Sequence, residues 1–163
     1  MEERDGSWRR QVDELWMKLD ALDDEAFLAE MGSLADQRPT GDAEAAFERA
    51  SAFDSTGHSD RAVPLYRDAL AAGLDGLQRR RATIQLASSL RNLGELDESV
   101  ALLEAERMRG HDELDDAVAA FLALALADAG REREAASIAL EALAPHLPRY
   151  QRSLAAYARE LRA

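Results

Sequence analysis

The chain contains no cysteine, and its 20 basic residues include a single lysine, Lys18. Without cysteine there is no disulfide scaffold, no thiol nucleophile and no thiolate-built zinc site. Valine, isoleucine and threonine together number 9 in 163 residues, too few to furnish a β-sheet. Basic charge is also short: against 32 acidic side chains the balance is −12. That deficit argues against nucleic acid or an anionic membrane surface as a partner, since both need a basic face. The longest purely apolar run, Ala117–Ala127, has 11 residues, whereas a bilayer-spanning helix needs about 20. The opening segment MEERDGSWRRQVDELW is charged throughout and has no signal-peptide core. The expectation is a cytoplasmic protein.

What the sequence has in abundance is helix-forming residues: 33 alanines and 24 leucines, within a chain that is 47% hydrophobic. An all-α protein with an ample core is expected, as one domain over 1–163.

Its order is repetitive. The segments AFDSTGHSDRAV, LRNLGELDESV and LADAGREREAA each end one amphipathic helix, turn on a glycine and open another. The glycines, Gly57, Gly94 and Gly130, are 37 and 36 residues apart. Seven residues before each lies Ala50, Ala87 or Ala123, and four before lies Phe53, Leu90 or Leu126. Five after come Ala62, Ser99 and Ala135; nine after come Tyr66, Leu103 and Ala139. Glycine permits the positive φ at which a helix stops and the chain reverses. Small residues on either side of the turn let antiparallel helices approach, and larger ones fill the remaining volume.

This pattern resembles the tetratricopeptide repeat, and the segments FERASAFDSTG, AVPLYRDALAAGLDG and IQLASSLRNLG are similar to its bacterial group 5 domain. The resemblance implies an α-α superhelix, a solenoid of stacked antiparallel hairpins, with repeats over 42–74, 75–110 and 112–147. A degenerate hairpin is expected over 7–37 and a capping helix over 148–163, the latter burying a stripe of Tyr150, Leu154, Tyr157 and Leu161. Ser59, Asp75 and Asp112 are expected as N-caps, with Gln78 completing a capping box on Asp75. Pro64 falls inside a second helix, where a local bend is expected. Two residues depart from the repeat: Ser99 replaces a small apolar residue, and Glu106 an alanine.

Catalytic and metal chemistry find no foothold. His58, His111 and His146 fall in turns of different repeats, too dispersed to converge on one ion. Ser51, Ser88 and Ser89 have no histidine within reach, no phosphate-binding glycine loop is present, and paired carboxylates lie on turns. The chain is expected to be non-enzymatic, with no cofactor and no metal. The resemblance instead implies a concave groove lined by the first helices. Its positions fall on Glu44, Phe47, Ser51, Asp54 and Ser55, on Arg81, Ile84, Ser88, Arg91 and Asn92, and on Ala117, Ala120, Leu124, Ala127 and Asp128. The expected function is an adaptor that receives a protein or peptide segment in that groove. A homodimeric structural module and a small-ligand sensor are the alternatives. Within the groove, Arg81 and Arg91 either hold an anionic group of the partner or pair with acids of the chain itself.

Overall fold

The computed structural model describes residues 2–162, and among them every regular element is helical. The chain divides into two compact units, one up to Ala82 and one from Thr83. The first unit contains α1 (Glu2–Trp16), α2 (Asp24–Ala35), α3 (Ala43–Ser55), α4 (Ser59–Ala71) and the start of α5 (Gly76–Asn92). The second holds the rest of α5 with α6 (Leu96–Arg109), α7 (Asp115–Asp128), α8 (Glu132–Leu143), a 3₁₀ turn at Ala144–His146 and α9 (Gln151–Glu160).

The repeat turns are chemically alike. Gly57, Gly94 and Gly130 take φ of 79°, 84° and 75°, the left-handed region that glycine enters without a steric penalty. After each, the next N–H reaches back to a carbonyl in the preceding helix: His58 to Phe53 (2.8 Å), Glu95 to Leu90 (2.9 Å) and Arg131 to Leu126 (2.8 Å). This six-residue bond closes the helix end and starts the return helix in a fixed direction. Asp23 and Asp42 cap α2 and α3 by accepting from Ala26 N (2.8 Å) and Ala45 N (2.9 Å).

In the first unit Trp8, Val12 and Leu15 of α1 pack on Phe27, Met31 and Ala35 of α2, which continue to Ala45 and Ala52 of α3. The Trp8 indole donates to Leu34 O at 2.8 Å, so the ring is buried with its polar atom satisfied. In the second unit one cluster joins Ile84 and Ala87 of α5 to Val100 and Leu103 of α6, to Val118, Leu122 and Leu126 of α7, and to Ile138 of α8. Ala87 is fully buried and Ala101 is exposed, as the repeat register requires. Ser99 repays its departure from the repeat: buried, it donates to Ala87 O at 2.7 Å across the close approach of α5 and α6.

Several expectations are corrected. Ser59 is the first residue of α4 rather than its cap, because the preceding His58 is already committed to the glycine turn. Asp112 accepts from Leu114 N (2.8 Å) and closes a turn ahead of α7. The side chain of Gln78 faces Arg9 and Glu44 instead of completing a capping box. Pro64 does fall inside α4, as expected, with its side chain exposed. In the last hairpin Ile138 is buried and Ala139 exposed. The stripe proposed for the C-terminal helix is only partly internal, since Tyr150 is 77% and Tyr157 64% exposed. The buried contact is Ala158, whose carbonyl accepts from the buried Ser137 Oγ at 2.6 Å. A small residue there lets α8 and α9 approach closely, and that approach turns the tyrosines outward.

Candidate functional site

The first helices α3, α5 and α7 carry the candidate positions, and the units divide them. In the first unit Phe47 and Ser51 are buried, Asp54 is half-buried and Arg81 is exposed. Phe47 packs against Tyr66 of α4 with ring centroids 6.2 Å apart, and the Arg81 guanidinium lies 5.4 Å from the Phe47 ring. A cation over an aromatic face is attracted by its quadrupole and held in orientation. Of the arginine run only Arg81 is exposed: Arg80 is buried and Arg79 half-buried. The run is therefore not a solvated cationic patch.

The Tyr66 hydroxyl lies 3.4 Å from both Ser51 Oγ and Asp54 Oδ2. Burial pushes the ionisation of this phenol well above its ordinary range, and the Asp54 carboxylate adds to the shift. Ser51 and Asp54, two groove candidates, thus serve an internal contact.

Beside them lies a polar cluster that sequence reasoning did not identify. Arg9 of α1 donates to Glu48 Oε1 at 2.6 Å and to Glu44 Oε2 at 2.8 Å. The Trp16 indole donates to Glu48 Oε2 at 2.7 Å, and Glu48 is only 4% exposed. Gln78 bridges the rim, its amide nitrogen 3.2 Å from Glu44 Oε1 and its oxygen 2.8 Å from Arg9 Nη2. Burial alone would lower the pKa of Arg9, but Glu48 and Glu44 hold it above its ordinary value. The available signal was Glu44 and Glu48 at i, i+4, two like charges on one helix face that call for a shared cation.

In the second unit Ile84 is buried, Ser88 and Arg91 are half-buried, and Asn92, Leu124 and Asp128 are exposed. Arg91 Nη1 donates to Asp128 Oδ2 at 2.8 Å, joining α5 to α7. Leu124, 47% exposed, lies one turn before Asp128 on α7. Ala120 and Ala127 on the same helix are exposed as well, so this surface is apolar with one charge pair at its edge. Arg81 and Arg91 have separate neighbours, Phe47 and Asp128.

Among the described residues no group of three or more potential metal ligands converges, and no helix is long and apolar enough to cross a membrane. His111 and His146 contact Asp115 (2.9 Å) and Asp116 (2.8 Å) on the exposed start of α7.

No curated protein and no solved structure matches the chain. The profile of the tetratricopeptide repeat does, over residues 43–161, from the start of α3 to the end of α9. With its glycine turns, small-residue contacts and consecutive helix packing, the chain belongs to the tetratricopeptide repeat family, whose members are generally non-catalytic protein–protein interaction modules.

Proposed function

We propose that the chain is an adaptor that binds a segment of a partner protein on the exposed surface of α5 and α7 in its second unit. The observation that carries this reading is Leu124, an exposed leucine on an alanine-lined helix face, beside the Arg91–Asp128 pair. Interfaces place apolar contacts at their centre and polar groups at the rim, and arginine is enriched among the residues that carry binding energy. An exposed ion pair contributes about 0–1 kcal/mol, so Arg91 can exchange Asp128 for a carboxylate of the partner at little cost. Ser88 and Asn92 supply further hydrogen-bonding groups. In the first unit, the exposed Arg81 guanidinium over Phe47 is a further cation available to a partner. The charge of −12 disfavours nucleic acid and anionic membranes as partners.

The test is a titration of an identified partner against wild type, Arg91→Ala and Leu124→Glu, with circular dichroism confirming intact helices. Charge-assisted hydrogen bonds are worth about 1.5–3 kcal/mol, so losing Arg91 weakens binding by roughly 10- to 100-fold. Unchanged affinity in both folded variants would remove this surface from the partner interface.

A homodimer through the same α7 surface is the second reading. The tryptophan-bearing helix α1 does not favour it, because both indoles are committed internally, to Leu34 O and to Glu48. Light scattering separates the two: a concentration-independent monomer of 17.9 kDa eliminates self-assembly.

A further inference from the structure

A crevice of about 420 Å³ opens where α2, α3 and α4 meet, lined by none of the groove positions considered above. Leu28 and Met31 of α2, Phe53 of α3 and Leu65 of α4 make its apolar walls. On α3 the lining residue Arg49 is two positions from both Phe47 and Ser51. At 100° per residue this places the crevice on the opposite side of the helix from them.

Three features distinguish it from an ordinary packing defect. Gly32 lies inside α2, where glycine costs helix stability. Its φ is not left-handed, and a Cβ built on it would meet nothing within 4 Å, so neither backbone nor sterics demands glycine there. Gly32 lines the crevice, and a larger side chain there would have open space to grow into. The second feature is Arg61, whose guanidinium carbon stacks 3.9 Å over the Phe53 ring at the mouth. Among the described residues this exposed guanidinium has that aromatic contact but no carboxylate partner, so its donor fork is pre-oriented and unused. Third, a neighbouring trough of about 500 Å³ shares Arg49 and Leu65 with the crevice; its lining carries Asp36, Asp42 and Asp68, so an acidic group is favoured only at the Arg61 end. Arg49 is itself tied to Gly32 O (3.1 Å) and Asp36 (2.7 Å), which leaves Arg61 as the receptive cation.

We propose that this crevice is a second docking site, for a peptide segment of a partner that inserts a large apolar side chain and sets a carboxylate on Arg61. The apolar walls select the side chain, and the stacked arginine selects an acidic neighbour. An extended segment fits better than a free amphiphile, because the crevice and its trough are open to water along their length and a lipid tail needs enclosure.

The probe is a fluorescein-labelled peptide with the core Glu-Glu-Leu-Phe-Glu-Glu, followed by fluorescence anisotropy against the full chain. Saturable binding is expected, weakened about tenfold or more in Arg61→Glu, where an attractive charge becomes repulsive. Gly32→Leu fills the crevice and gives a comparable loss, while its melting temperature stays level or rises as the helix gains a better former. Arg91→Ala, in the other unit, leaves this binding unchanged, so failure here and failure of the α5–α7 surface are told apart. Peptides with lysine for glutamate, or serine for the Leu-Phe pair, bind weakly. The proposal is overturned if the probe shows no saturable binding up to about 1 mM. It is equally overturned if Arg61→Glu and Gly32→Leu both bind as wild type, or if decanoate binds and the peptide does not.

Discussion

Glu48 offers the most demanding test of how the first unit is held together. Its carboxylate is 4% exposed and accepts two short hydrogen bonds, from Arg9 at 2.6 Å and from the Trp16 indole at 2.7 Å. Glu48→Ala removes both and strands two donors. Hydrogen bonds to charged groups contribute about 1.5–3 kcal/mol each. Arg9 keeps Glu44 at 2.8 Å, and its side chain is 29% exposed, so water and one carboxylate recover part of the loss. The expected net cost is about 2–4 kcal/mol, below the ~3–5 kcal/mol of a fully isolated buried charge. For a chain of this size that lowers the melting temperature by roughly 5–15 °C. Thermal and urea unfolding followed by circular dichroism measure the cost, and tryptophan emission reports locally on the Trp16 indole that loses its acceptor. Glu48→Gln retains an acceptor for Trp16 and falls between wild type and alanine. In Arg9→Met with Glu48→Leu the charges leave together, and the double variant is more stable than Glu48→Ala alone. A melting temperature within about 2 °C of wild type for Glu48→Ala would refute the assignment of a stabilising role to this cluster.

Three further outcomes follow from the packing. Ala87→Leu overfills the contact between α5 and α6 and costs about 1–3 kcal/mol, whereas Ala101→Leu, on an exposed face, costs under about 0.5 kcal/mol; equal losses in urea melts would show the register to be wrong. The Tyr66 ionisation is raised by burial first and by Asp54 second, so the folded chain holds this proton more tightly than the unfolded chain, whose phenol titrates near ~10. Its contribution to stability is therefore level below pH about 10 and declines above it, and in a Tyr150→Phe, Tyr157→Phe background tyrosinate absorbance appears only as the helices melt. Ionisation of Tyr66 near pH ~10 with helices intact would contradict its burial. Deleting 149–163 strips α9 from α8 and strands the Ser137 hydroxyl that now bonds Ala158 O; a lower melting temperature is expected, and an unchanged one would deny α9 its capping role.

Helix count, the glycine turns and the small-residue contacts beside those turns were legible in the linear chain. They rest on local rules: glycine alone enters positive φ cheaply, and alanine or serine is what a close helix approach tolerates. Gly57, Gly94 and Gly130, the buried Ala87 and the exposed Ala101 followed from those rules without knowledge of any neighbour. The sites were legible only in part. Offset from the glycine places Phe47 and Ser51 on α3 and Ile84 on α5, yet burial depends on what stands opposite. Tyr66 covers Phe47, and the α7 cluster covers Ile84. Which acid an arginine meets is likewise a long-range fact. Asp128 is 37 residues from Arg91 and Glu48 is 39 from Arg9, separations at which sequence spacing carries no geometric information. The C-terminal helix shows the same limit. Its stripe is real at 3.6 residues per turn, but only the approach of α8 decided that Ala158 would face inward and Tyr150 and Tyr157 outward. Periodicity determines that a helix has two faces; the neighbour that buries one of them is chosen by tertiary packing.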